Sequence, residues 1–274
     1  MTRPRLSTAL FSAAALAVLS IASATATAAG LERLYILDCG QVLAPDQSRW
    51  SPGVNVGKPI ENSDNCYLIR HERGLLLWDT GYPDSLADQP AGITGPTGTT
   101  KRAKKLIDQL ASIGVKPTDI RYVAISHTHG DHIGNLDKFP ASTLIMQGPE
   151  YAFAFEGKKT PFPASQTVMK LTGDHNVFGD GSVTILSTPG HTPGHESLML
   201  NLPKTGFVLL TGDAVHFKDN WDNKRVPSMN TDKDQTLASM KRLETLLVQH
   251  KAQLWINHDK PQSDGLKHAP EFYE

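Results

Sequence analysis

Residues Leu31 to Asp38 alternate between apolar and polar and are rich in β-formers. Cys66 to Arg70 and Leu75 to Trp78 read as two further strands, with His71-Glu72-Arg73-Gly74 as the turn between them. The domain is therefore expected to open as a β-meander. From Asp79 to Lys101 the chain is rich in Gly, Pro and Thr. Leu106, Ile107, Leu110 and Ile113 then recur at helical spacing until Gly114 stops them. Four short apolar strands follow, each running into a polar segment: Tyr122 to Ile125 before His127, Val183 to Leu186 before His191, Phe207 to Leu210 before Asp213, and Gln253 to Ile256 before His258. Side chains at strand ends suit function, because the sheet fixes them while the loop exposes them.

Two stretches break this rhythm. Residues 147–180 carry Tyr151, Phe153, Phe155 and Phe162 among several Pro and Gly, and read either as a lid or subunit contact or as a helix and loop packed on the core. The aromatic positions motivate a homodimer as an expectation. Thr231 with Asp234 resembles a capping box for the helix marked by Leu237, Met240, Leu243 and Leu247.

At the N-terminus, Arg3 and Arg5 precede an apolar run from Ala9 to Ile21 and the small-residue tract Ala22 to Ala29. This pattern is that of a secretory signal peptide over residues 1–28, with Ala26-Thr27-Ala28 at the cleavage site and the domain proper in 29–274. The apolar run is short of the ~20 residues that a spanning helix needs. The expected mature protein is periplasmic or secreted, without stable membrane insertion. Loss of Arg3 and Arg5 leaves 25 basic against 28 acidic residues, a net charge of −3, which does not attract nucleic acid. In an oxidising compartment Cys39 and Cys66 are free to pair, although two buried thiols fit as well.

The chemistry concentrates in Ser126-His127-Thr128-His129-Gly130-Asp131-His132, directly after a strand. Neutral imidazole and carboxylate suit zinc and its neighbours in the first transition row. Packing alone does not explain so many imidazoles in one turn, since each would need its own hydrogen-bond partner if buried. His127 and His129 project alike from an extended segment, while Asp131 and His132 lie where the chain turns, so one loop serves two neighbouring metals. Further ligands must come from Thr188-Pro189-Gly190-His191-Thr192-Pro193-Gly194-His195, Gly212-Asp213 and Asn257-His258.

Taken with the early Asp79-Thr80-Gly81, these elements in this order resemble the metallo-β-lactamase superfamily across essentially the whole mature chain. The resemblance implies an α/β protein, an αββα sandwich of two mixed β-sheets flanked by helices. It also implies His127, His129 and His191 on one metal, Asp131, His132 and His258 on the other, and Asp213 bridging. Two divalent ions, zinc first among the candidates, activate water and polarise a carbonyl, with a metal-bridging hydroxide as nucleophile and Asp131 or a water relaying the proton.

Asp64-Asn65-Cys66-Tyr67-Leu68-Ile69 and the closing Asn257-His258-Asp259 are similar to the N-acyl-homoserine lactonase branch. That branch often carries Tyr three residues after the bridging Asp, where this chain has His216, a group able to donate to a substrate carbonyl. The implied substrate is a small acyl lactone or ester, with phosphoester or β-lactam hydrolysis and a non-catalytic metal-binding protein as alternatives. By the same resemblance Asp79 is a buried carboxylate that orients the metal loop, and a turn-forming Asp is the plainer reading. His195 reads as a packing or supporting histidine, and His71, His175, His250 and His268 as surface residues. Trp50, Trp221, Phe217 and Met229 either line an acyl pocket or pack in the core.

Overall fold

The structure, a computed structural model, describes Met1 and residues 30–274. The expected signal peptide lies outside the described residues apart from Met1. Strands β1 (Leu31–Ala44), β2 (Ile60–His71), β3 (Gly74–Trp78), β4 (Ile93–Gly95) and β5 (Gly98–Lys101) come first, followed by helix α1 (Leu106–Ser112). Next are β6 (Ile120–Ala124), α2 (Gly130–Ile133), β7 (Thr143–Gln147), α3 (Gly148–Phe155), β8 (Val168–Leu171) and β9 (His175–Asn176). The chain closes with β10 (Val183–Ser187), β11 (Glu196–Leu202), β12 (Gly206–Leu210), α4 (Lys218–Asn223), α5 (Lys233–His250), β13 (Gln253–Trp255) and α6 (Lys260–Asp264).

These strands form an eight-stranded sheet, β4-β5-β1-β2-β3-β6-β7-β8, and a five-stranded sheet, β13-β12-β11-β10-β9. Both are mixed: β3, β6, β7 and β8 run parallel, as do β12 and β13, while the remaining pairs are antiparallel. Side-chain alternation sends Leu34, Ile36, Ile69, Leu76 and Trp78 toward Ile185, Leu198, Leu200, Leu210 and Trp255, which fills the space between the sheets. The opposite faces are covered in turn. Leu37, Leu68, Leu77 and Val123 pack under Leu106 and Leu110 of α1, and Leu209 and Met199 under Met240 and Leu243 of α5. The result is the α/β/β/α layering that the resemblance implies.

Several expectations change. The first two strands are longer than their apolar stretches, because their pairing continues through Gly40 and Gln41 of β1 and the polar residues Glu61 to Asn65 of β2. Phe155 and Phe162 sit in the core and β8 extends the larger sheet, so much of residues 147–180 is packed helix and edge strand, the second of the two readings, while Phe153 is exposed. Asp232, not Thr231, caps α5, its carboxylate accepting from Gln235 N at 2.9 Å. His71 is buried: its ring stacks on Phe178 at 3.9 Å and its Nε2 lies 2.8 Å from Asp180. Cys39 and Cys66 form a disulfide across β1 and β2. Among the described residues no helix is long and apolar enough to cross a membrane.

Candidate metal centre

The four strand ends converge on one edge of the sandwich. β6 delivers His127 and His129 with α2 behind them, β10 delivers His191, β12 delivers Asp213, and β13 delivers His258. The structure brings all seven sequence-predicted ligands together, His127, His129, His191 and Asp213 in one donor group and Asp131, His132 and His258 in another, with His216 close enough to Asp213 and His258 to form a third, overlapping group. In the first, His129 Nδ1 is 2.8 Å from His127 Nε2 and 3.0 Å from His191 Nε2. Asp213 divides its carboxylate between the groups. Its Oδ2 is 3.4 Å from His191 Nε2 and 3.8 Å from His127 Nε2, and its Oδ1 is 3.0 Å from His258 Nε2 and 3.4 Å from His132 Nε2.

The donor atoms fit two cations. His132 Nδ1 faces Asp79 Oδ2 at 2.9 Å, His191 Nδ1 faces Asn230 Oδ1 at 2.9 Å, and His258 Nδ1 faces the Ser63 carbonyl at 2.7 Å. Each outer acceptor holds a proton on Nδ1 and leaves the Nε2 lone pair aimed inward, the usual support for a liganding histidine. Inside the cluster, His132 Nε2 and Asp213 Oδ1 are buried with no hydrogen-bond partner. At His129 Nδ1 one proton cannot serve both of its nitrogen neighbours. Buried polar atoms without partners are costly, and a cation answers all of these at once.

The charges agree. Burial holds His127 and His191 well below the ordinary imidazole range, so they are neutral. Burial also works against protonation of His132 and His258, but the carboxylates override it. Asp79, Asp213 and Asp131 hold His132 well above its ordinary value, and Asp213 and Asp131 push His258 up to about 9. Asp213 itself is fully buried, yet the surrounding imidazoles keep it well below the carboxylate range. Without cations, protons on His132 and His258 compensate the carboxylates.

The supporting residues explain the local sequence. Asp79 stands at φ 59° and accepts from Ser126 N at 2.6 Å, Ser126 Oγ at 2.9 Å and His132 Nδ1. His195 lies outside the donor groups: its Nε2 accepts from Asp213 N at 2.8 Å, and its Nδ1 lies 3.0 Å from the Thr188 carbonyl. Burial lowers it to about 4, which keeps that acceptor neutral. His216 is buried with Nε2 3.1 Å from Asp213 Oδ2 and its ring stacked on His258 at 5.2 Å.

A cavity of about 340 Å³ opens over both groups, bordered by Val42, Trp50, Tyr82, Met229, Arg49 and Asn62 besides the ligands and His216. Trp50 and Met229 are thus pocket residues. Trp221 packs with Leu209 and Met240 behind the sheet, and Phe217 lies in the apolar cluster with Trp50, so neither lines the cavity. Sequence reading passed over Arg49, Asn62, Tyr82, Asn230 and Glu150, none of which stands in a recognisable spacing.

Residues 60–248 match the family described as Metallo-beta-lactamase superfamily. The chain is 34% identical to the N-acyl homoserine lactonase AttM of Rhizobium radiobacter over 263 residues, 88% of this chain and 98% of that protein. It is 32% identical to an N-acyl homoserine lactonase of Bacillus sp over 251 residues, 88% and 99% of the two chains. A solved structure of an N-acyl homoserine lactone hydrolase, with the product N-hexanoyl-L-homoserine bound at its catalytic metal centre, superposes with a TM-score of 0.76. It shares 30% identity over 88% of this chain and 99% of that one.

Proposed function

Since the chain belongs to the metallo-β-lactamase superfamily, we propose that it is a metal-dependent hydrolase that opens lactone rings, with N-acyl-homoserine lactones as its substrates. The observation that carries this reading is the undivided donor set beneath a part-apolar cavity, in a chain that matches N-acyl homoserine lactonases along almost their whole length. Asp213, with one oxygen toward each group, supports a pair of ions rather than one. Zinc is the proposed ion, the imidazole and carboxylate donors being its usual ones. Such a pair supplies Lewis-acid chemistry, bringing water ionisation near neutrality and polarising a carbonyl.

The chain's own residues supply the rest. The inner nitrogen of His216, Nδ1, is buried without a partner. A liganding His216 would need its proton there, and an orphaned buried N–H is the rarer arrangement. Its proton therefore belongs on Nε2, which donates toward Asp213 Oδ2 at 3.1 Å; with that oxygen turned to a cation, the N–H would be left to donate to the carbonyl oxygen as charge develops. Burial lowers His216, so the ring stays neutral and the donor is constant near neutral pH. Asp131, the most open carboxylate of the cluster with 23% of its side chain exposed, is suited to carry a proton to the departing alkoxide. Water adds to the acyl carbon, the ring C–O bond breaks, one proton passes to the alkoxide, and the products are a carboxylate, an alcohol and one proton released to solvent. Trp50, Met229 and Val42 give the acyl chain an apolar wall.

Export to an oxidising compartment belongs to the same proposal, supported by the Cys39–Cys66 disulfide. Fractionation that found the protein in the cytoplasm with residues 1–28 still attached by intact mass would overturn it. The function is tested by pH-stat hydrolysis of N-acyl-homoserine lactones of several chain lengths beside a γ-lactone, a penicillin and a phosphodiester, with and without chelator. Chelator-sensitive turnover of the acyl lactones is expected. Metal-replete protein that leaves them intact while cleaving another substrate would refute the lactone assignment.

A further inference from the structure

Of the five histidines in the two donor groups, four have an outer partner for the ring nitrogen that faces away from the cluster: Ser126 for His127, Asp79 for His132, Asn230 for His191 and Ser63 for His258. His129 differs. It turns Nδ1 inward, it is only part-buried, and no hydrogen bond among the described residues reaches its Nε2. Its ring has no partner to orient it, so its place depends on its backbone. That backbone is anchored through its neighbour Thr128. Glu150, fully buried at the start of α3, accepts from Thr128 N at 2.8 Å and Thr128 Oγ1 at 2.7 Å through Oε1, and from Gly194 N at 3.0 Å through Oε2.

One carboxylate thus ties the loop carrying His127 and His129 to the turn carrying His191, the three imidazoles of a single donor group. The fit is close. A Cβ on Gly194 would stand 2.3 Å from Glu150 N and 2.6 Å from its Cβ, so the glycine is what lets the carboxylate reach both loops. The other donor group has no such contact with Glu150. Asp131, His132 and His258 are supported instead by Asp79 and the Ser63 carbonyl.

We propose that Glu150 is a positioning residue for the first metal site, His127-His129-His191, and that it acts on that site selectively through Thr128 and Gly194. The proposal rests on the dinuclear reading of the cluster, and its readout is metal binding rather than turnover. Ligand orientation by outer hydrogen bonds sets metal affinity, and losing such a partner weakens it by about 10–100-fold. Glu150→Gln keeps the shape but places an amide donor against an N–H donor, either at Thr128 or at Gly194.

Cobalt(II) affinity is measured by chelator competition and visible absorption in two backgrounds. His258→Gln reports on the first site, and His129→Gln on the second. Glu150→Gln should weaken the first site by about 10–100-fold and alter its absorption band, leaving the second within about twofold. Thr128→Val, which removes only the Oγ1 donor, should show a smaller loss at the same site, and Gly194→Ala should resemble Glu150→Gln. These two variants carry the test if Glu150→Gln does not fold. Equal weakening of both sites, or none at the first, overturns the proposal. Wild-type protein that binds a single cobalt ion would instead overturn the dinuclear reading beneath it.

Discussion

Asp79→Asn tests the support of the second site. The Asp79 carboxylate receives three donors, Ser126 N at 2.6 Å, Ser126 Oγ at 2.9 Å and His132 Nδ1 at 2.9 Å. An asparagine tolerates the left-handed backbone at φ 59°, but it must choose an orientation. The Ser126 amide cannot reverse its donor, so the carbonyl oxygen is held on that side and the new NH2 falls opposite His132 Nδ1. Two donors then face each other unless His132 moves its proton to Nε2, the atom 3.4 Å from Asp213 Oδ1 that would hold the cation. Restoring the binding tautomer costs about one hydrogen bond to a charged acceptor, on the order of 1.5–3 kcal/mol, which corresponds to roughly 10–150-fold in affinity. Metal titration against a competing chelator should show the larger loss at the second site, with a smaller one at the first through Ser126, which Asp79 also holds. The thermal melting temperature of the metal-free variant should also fall, because the Asp79 carboxylate is the first of the charges that hold buried His132 protonated, and a neutral amide removes that pairing. Unchanged second-site affinity, or equal loss at both sites, would refute the tautomer argument.

The same electrostatics makes metal and proton competitors. His258 is held up to about 9 and His132 well above its ordinary value, so both are protonated at pH 7 without metal and must lose those protons to bind. Calorimetric titration at pH 7 in buffers of different ionisation heat should report about two protons released on filling the second site, with affinity still rising with pH up to at least the value of about 9 set by His258. Release of less than one proton would show that the cluster is not protonated as described. For the disulfide, a sequence separation of 27 gives a loop-closure contribution of about 3.5 kcal/mol. Replacing both cysteines with alanine should lower denaturant stability by roughly that amount, and a loss under about 1 kcal/mol would mean that the chain-entropy account is wrong for this strand pair.

What sequence could and could not disclose follows from the distance over which each residue acts. His127, His129, Asp131 and His132 declare themselves because chelation demands donors a few bonds apart, and His191, Asp213 and His258 because each follows a readable strand. The layered sandwich is legible only through the family resemblance that these motifs carry, whereas alternation by itself shows single strands such as Leu31 to Asp38. The residues that aim the ligands carry no such local signature. Glu150 reaches Thr128 from 22 positions away and Gly194 from 44, and Ser63 reaches His258 from 195. In the sequence Glu150 is an ordinary acidic residue among aromatic positions, which is why that stretch leaves both a lid and a packed helix open. His71 misled for the same reason, since its burial depends on Phe178 and Asp180, more than a hundred residues on. Donor identity is a property of short segments, whereas the tautomer and angle of each donor are properties of the assembled sandwich. Asp79 and Glu150 show how the fold closes that gap, one buried carboxylate beside each half of the metal centre, each fixing imidazoles through the loop that follows β6.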